Sequence, residues 1–150
     1  MNCDMVVAAQ QAVFALPEVK RGVVAIAGVL PRIIRTIGRP RATEMALTGR
    51  TVSAEEALDW GLINKVVGNA EGEVVDAALA YANLIGENSP DAVVVTREGL
   101  KLGWEGIGAD EATRIANDAW QTRLRTGANM KEGLNAFKEK RKPRWVASRL

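Results

Sequence analysis

The chain has 150 residues, 47% apolar and 25% charged, with a net charge of +2 and no histidine. That is the length of one ordinary domain, with enough apolar material for a sizeable core, which excludes wholesale disorder. The absence of histidine excludes a Ser-His-Asp or Cys-His triad, a His-ligated metal and a His pH switch within this chain.

Cys3 is the one cysteine. It excludes an internal disulfide and any Cys-x-x-Cys site, and an intracellular setting is expected. The longest apolar run, Gly22 to Pro31, is about half of what crosses a bilayer, so no membrane span is expected. No secretory signal is expected either, because Asp4 stands near the start and a basic leader is lacking. The charge is uneven. Residues 131–150 carry seven Lys/Arg against two acids, a net +5, which leaves residues 1–130 at −3. A basic tail suits an anionic partner such as a phosphate, a nucleic acid or an acidic surface; it equally suits a solvated helix end.

In chain order, Met5 to Ala8 and Val13 to Ala15 are apolar runs that predict a strand pair. Leu16-Pro17-Glu18 ends the ladder, since proline lacks a donor and restricts its predecessor. Glu18 therefore falls just past a strand, where a side chain can project into a cleft. Pro31 to Ile37 predicts a short helix stopped by Gly38. Arg39 to Leu47 predicts another, with Pro40 in its first turn and Gly49 beyond its end.

Ser53 and Glu56 form a capping box: Ser53 accepts from the amide three residues on and Glu56 reaches back. Ala54 to Trp60 is then a helix closed by Gly61, and Ile63 to Val67 a strand. Three longer helices follow: Glu71 to Glu87, with Val75, Ala78, Leu79, Ala82 and Ile85 as its stripe; Asp91 to Leu102, introduced by Ser89-Pro90; and Asp110 to Arg125. A last helix spans about Lys131 to Lys140. No internal repeat is present. The strands are few and early, the helices many and late. A sheet needs more strands than these, so a sheet-rich segment is expected ahead of Met1.

Several segments jointly resemble the enoyl-CoA hydratase/isomerase (crotonase) superfamily. They are Phe14-Ala15-Leu16-Pro17-Glu18-Val19-Lys20-Arg21-Gly22, the run from Thr48 to Val67, Cys3-Asp4-Met5 as the end of a glycine-rich signature, and Glu132-Gly133 with Ala136-Phe137 and Glu139-Lys140-Arg141 near the end. They keep the family's order and match its C-terminal half only. The resemblance implies an α/β fold, a crotonase-like spiral of ββα units truncated at the N-terminus and so helix-dominated. Residues 1–67 would be the last part of the core, and residues 68–150 a helical region for oligomerisation and CoA covering.

The activity implied is hydration of enoyl-CoA thioesters in fatty-acid β-oxidation, with double-bond isomerisation second. The partners implied are an acyl-CoA and a homo-oligomer, trimer or hexamer, with no nucleic acid. No metal and no separate cofactor are implied, CoA being part of the substrate. Glu18 matches the second catalytic glutamate of the hydratases, a general acid/base. Phe137 and Lys140 match positions that close over a CoA, often one bound to a neighbouring subunit. Gly22 and Gly28 flank the loop beside the acyl site. Chemistry agrees: an enolate-like thioester needs preorganised donors at its oxygen and a positioned acid or base beside its carbonyl.

Two departures matter. The family's oxyanion amides and first glutamate fall upstream of Met1, so the chain alone is expected to be inactive or nearly so. After Gly22 the hydratases show a proline, a glycine cluster and Thr-Gln-Arg; here Val23 to Arg32 keeps only Gly28 and Arg32 of that pattern, giving a bulkier loop.

Ser148-Arg149-Leu150 resembles the C-terminal Ser-Lys-Leu peroxisomal address, so a peroxisome is expected, with the mitochondrion as alternative. From the residues alone, without the resemblance, Glu18 reads rather as a solvated turn acid, Phe137 as core, Lys140 as a solvated cation and Cys3 as buried filler. Two other functions stay open on the same residues: a non-catalytic acyl-CoA-binding or assembly remnant, and a basic-tailed helical adaptor.

Overall fold

The computed structural model describes residues 3–150. The chain divides into two compact units, the first ending at Tyr81 and the second running Ala82–Leu150.

In the first unit, β1 (Val7–Ala9) and β2 (Val13–Phe14) follow the two apolar runs, but they do not pair with each other. The Gln10-Gln11 turn sends them to different partners. β1 lies parallel to β4 (Lys65–Val67), and β2 lies antiparallel to β3 (Val52–Ser53). The expected hairpin is therefore replaced by two long-range pairings. Asn64 extends the first: its side-chain oxygen accepts from the Val6 N–H at 2.8 Å, and its own N–H donates to the Val6 carbonyl at 2.8 Å.

Helices α1 (Val29–Ile37) and α2 (Arg39–Thr48) turn at Gly38 (φ 78°) and pack on this frame. α3 (Ala54–Asp59) begins at the Ser53 cap, whose hydroxyl accepts from the Glu56 N–H at 3.1 Å. Only half of the expected capping box forms, because the Glu56 carboxylate binds the Arg50 guanidinium instead of reaching back. Ile33, Ile37, Met45, Val52, Ala57, Trp60 and Ile63 close one apolar core.

The division between the units falls inside α4 (Glu73–Gly86), which has no buried residue. Its expected stripe is open among the described residues, with Val75, Leu79 and Ile85 all exposed.

The second unit continues with α5 (Pro90–Trp104), capped by the Ser89 hydroxyl. The helix expected over Asp110 to Arg125 is three pieces: α6 (Ala109–Ala116), a π-helical turn over Asn117–Gln121, and α7 (Thr122–Thr126). Periodicity cannot reveal a π turn, which inserts one residue without ending the helix. α8 (Ala128–Lys138) follows, then an irregular tail.

Candidate active site

Glu18 is carried on a 3-10 turn over Pro17–Arg21, directly after β2. Proline begins that turn, where its fixed φ suits a helix start and its missing donor costs nothing. Gly22 (φ 70°) ends it in the left-handed region.

The far side of the turn is set by the end of α2. Gly49 has φ 58°, and a Cβ there would lie 3.3 Å from the Leu16 carbonyl and 3.0 Å from Lys20 Cε. The missing side chain lets α2 butt against the turn that bears Glu18. The sequence showed Gly49 only as a helix stop; nothing local in it signals this close approach.

Glu18 is half-buried. Its Oε2 is closed to solvent and has no hydrogen-bond partner among the described residues. Leaving a buried acceptor unsatisfied costs on the order of 1–3 kcal/mol. Glu18 borders a cavity of about 440 Å³ lined by Leu16, Val24, Ala25, Ile26, Ala27 and Val29. Apart from Glu18 the lining side chains are all aliphatic.

Gly28, at the head of α1, closes the loop after this lining. Its φ of 77° and the Arg32 guanidinium packed against it leave no place for a Cβ. Arg32 Nη1 donates to the Gly28 carbonyl at 3.4 Å. Within this unit, then, Glu18, Gly22 and Gly28 frame one aliphatic cleft.

In the same unit, Arg50 is the hub of a charged cluster. Its Nε donates to Glu44 at 2.6 Å and its Nη1 to Glu56 at 3.0 Å. The guanidinium lies 5.1 Å from the Trp60 ring centre, and Arg41 lies 5.8 Å from the same ring. The hydrogen bonds from Arg50 hold the Glu56 carboxyl below its ordinary range, and those two glutamates raise Arg50 in turn. This cluster fastens α2 to α3, and none of its residues is among those that line the cavity.

The second unit holds the remaining predicted residues. Phe137 is 85% exposed, so it is not core. Lys140 is exposed and is the one non-glycine residue with positive φ, at 51°, among the described residues. α8 ends as a Schellman motif: the Arg141 N–H donates to the Ala136 carbonyl at 3.0 Å and the Lys140 N–H to Phe137 at 3.3 Å. Lys140 occupies the left-handed position of that motif, where glycine is usual and a side chain costs about 1 kcal/mol.

The chain beyond is clamped. Glu132 accepts from both Arg141 Nη1 at 2.6 Å and Nη2 at 3.0 Å, and from the Arg144 N–H at 2.6 Å. These donors hold its carboxyl down at about 2. Asn129, 2% exposed, donates to Asp91 Oδ2 at 2.9 Å and exchanges two hydrogen bonds with the Val146 backbone. Trp145 donates to the Glu87 carbonyl at 2.8 Å. The sequence reading missed Asn129; an asparagine inside a short helix carries no distinguishing pattern.

Past this clamp, Ser148 and Arg149 are exposed, and the Ser148 hydroxyl accepts from the Leu150 N–H at 3.2 Å. Cys3, expected as buried filler, is exposed. Among the described residues no cluster of His, Cys, Asp or Glu could hold a metal ion, and no helix is long and apolar enough to cross a membrane.

Known proteins resemble this chain in sequence and in fold. Residues 1–148 match the family described as enoyl-CoA hydratase/isomerase. A mevalonyl-coenzyme A hydratase from Aspergillus fumigatus is 48% identical over 149 residues, covering 99% of this chain and 54% of that protein. A probable mitochondrial enoyl-CoA hydratase from Dictyostelium discoideum is 36% identical over 145 residues, covering 97% of this chain and 51% of that one. The crystal structure of an enoyl-CoA hydratase from Mycobacterium marinum superposes with a TM-score of 0.87 at 38% identity, covering 97% of this chain and 56% of that structure. The chain thus spans about half the length of the curated relatives it matches. Its fold is the crotonase α/β fold, helix-rich in this portion. With a match running almost end to end and a fold in common, the chain belongs to the enoyl-CoA hydratase/isomerase family.

Proposed function

We propose that this chain supplies the acid–base carboxyl of an enzyme that adds water to, or removes it from, a CoA thioester. The observation that carries this reading is Glu18 Oε2, which has given up water and gained no protein donor at the edge of an aliphatic cavity. Glu18 borders that cavity, so its carboxyl can exchange a proton with a ligand once Oε2 is turned into the open space. In hydration, the oxygen of water bonds to C3 of the enoyl group and a hydrogen is delivered to C2. Glu18 moves one of those protons. The thioester oxygen gains charge on the way and needs fixed donors; in the hydratase pattern these precede the segment Cys3–Met5.

The name of the Aspergillus relative, at 48% identity, supports a mevalonyl thioester as the acyl group. The aliphatic wall from Val24 to Val29 suits a short chain branched at C3. It also accepts a straight enoyl chain, which keeps fatty-acid β-oxidation as the second reading. Exposed Phe137 is suited to stack on adenine and Lys140 to meet a phosphate of CoA, bound to this protomer or to a neighbour in a trimer or hexamer. The C-terminal Ser148-Arg149-Leu150 supports a peroxisomal address; the Dictyostelium relative's name supports the mitochondrion.

The test is turnover of the full-length enzyme on crotonyl-CoA and mevalonyl-CoA, with Glu18→Gln alongside. The expected result is a higher kcat/KM on the mevalonyl thioester and a loss of roughly 10²–10⁴-fold in kcat for the variant. Unchanged turnover in Glu18→Gln removes the role given to Glu18. Equal or better turnover of crotonyl-CoA moves the substrate to the straight-chain class.

A further inference from the structure

Gly49 and Gly61 stand just past α2 and α3, both in the left-handed region, with φ 58° and 76°. Their surroundings differ. A Cβ at Gly61 would meet nothing within 4 Å. A Cβ at Gly49 would meet the Leu16 carbonyl oxygen at 3.3 Å and Lys20 Cε at 3.0 Å. Leu16 stands two residues before Glu18 and Lys20 two residues after it, so Gly49 abuts the turn on both sides of that carboxyl. Which side would yield to a side chain depends on how each is held. α2 is anchored in the core by buried Ala42 and Met45. The Gly49 N–H donates to the Met45 carbonyl at 3.2 Å, and the next residue, Arg50, is fixed by Glu44 and Glu56. The Pro17–Arg21 turn buries no residue. It leaves through two longer bonds, from the Gly22 N–H to the Val19 carbonyl at 3.4 Å and from the Val23 N–H to the Glu18 carbonyl at 3.2 Å. A packed core resists displacement more than an exposed turn does. A side chain at position 49 therefore moves the turn, and Glu18 with it.

We infer that Gly49 is a positioning residue for the acid–base step: its missing side chain sets where Glu18 stands at the edge of the aliphatic cavity. The inference rests on the reading of Glu18 above. It adds a residue of another element that touches no ligand and acts only through that carboxyl. Proton transfer needs its partners within hydrogen-bond reach, so a shift of a fraction of an ångström is felt in the rate before it is felt in binding.

The test is steady-state turnover of the full-length enzyme on mevalonyl-CoA and crotonyl-CoA, with thermal unfolding of each variant. Gly49→Ala and Gly61→Ala both force a side chain into the left-handed region, so both are expected to lower Tm by a similar amount. Only Gly49→Ala is expected to lower kcat, about tenfold, with KM within about twofold. Gly49→Asn separates backbone strain from contact, because asparagine adopts this conformation more readily. It keeps more of the Tm and shows the same loss in kcat, and it carries the comparison if Gly49→Ala does not fold. In a Glu18→Gln background Gly49→Ala brings no further loss, as a residue acting through Glu18 requires. Equal kcat in Gly49→Ala and Gly61→Ala overturns the inference and leaves the role of Glu18 standing. Recovery of kcat in Gly49→Asn overturns it too, since strain alone then explains the loss. So does a tenfold loss that persists in the Glu18→Gln background, because the effect then bypasses Glu18. If Glu18→Gln itself turns over like the wild type, the reading of Glu18 fails and this inference falls with it.

Discussion

The two units are held together by different physics. The first closes on an apolar core: Val52, Ala54 and Ala57 are fully buried, and Ile33 and Met45 nearly so. The second buries only Ala112 and Ala136 among its described apolar residues, and beside them it encloses two polar ones, Asn129 and Asp91. Apolar burial is non-directional and tolerates small shifts, while a buried polar group is worth its cost only when its partners are in place. The unit bearing Glu18 should therefore yield gradually to core substitutions, and the tail clamp should fail abruptly when one partner is lost.

The largest effect tests the apolar side. Trp60→Ala removes a ring that is 8% exposed and that carries Arg41 and Arg50 over it. A loss of about 4 kcal/mol is expected in denaturant unfolding; a loss under about 1 kcal/mol would mean the core closes without its aromatic.

Asn129→Ala tests the polar side. It strands the Val146 N–H and carbonyl and the Asp91 carboxylate. About 3 kcal/mol should be lost, and amide exchange at Val146 should rise sharply while exchange at Val52 stays slow. If both rise together, the contrast between the units is wrong.

A smaller change sharpens it. Ser53→Ala takes the cap from α3 and should cost about 1 kcal/mol, because half of the box was never formed.

The smallest is a titration. Glu132 is held at about 2, below the ordinary 4.5, so its lock contributes in full above about pH 4.5 and fades as pH falls toward 2. Exchange of the Arg144 amide should accelerate over that window in the wild type, and should be fast and pH-insensitive, after correction for intrinsic rates, in Glu132→Gln.

Much of the first unit could be read from residues because its signals are local. Pro17 before Glu18, Gly38 between two helices and Ser53 three residues before Glu56 each declare a turn or a cap. The partners of β1 and β2 could not, since two short apolar runs fit a hairpin as well as they fit distant strands. The environment of Glu18 was only half legible. Its apolar neighbours in sequence suggested a cleft, but the Gly49 contact that backs its turn joins residues far apart in the chain. The clamp was illegible for the same reason: Asp91, Asn129 and Val146 share no spacing rule, and a lysine at a left-handed position looks like any other lysine until φ is known.

The pairing of β1 with β4 sets a timetable for folding. Val6 and Asn64 are 58 residues apart, and the Glu18 turn, its aliphatic wall, α1, α2 and α3 all lie inside the loop they close. Closing so long a loop costs entropy before the strand pair returns anything, which favours slow assembly. During synthesis, Val7 must wait for Lys65 to leave the ribosome, and until then the cleft beside Glu18 has walls but no frame.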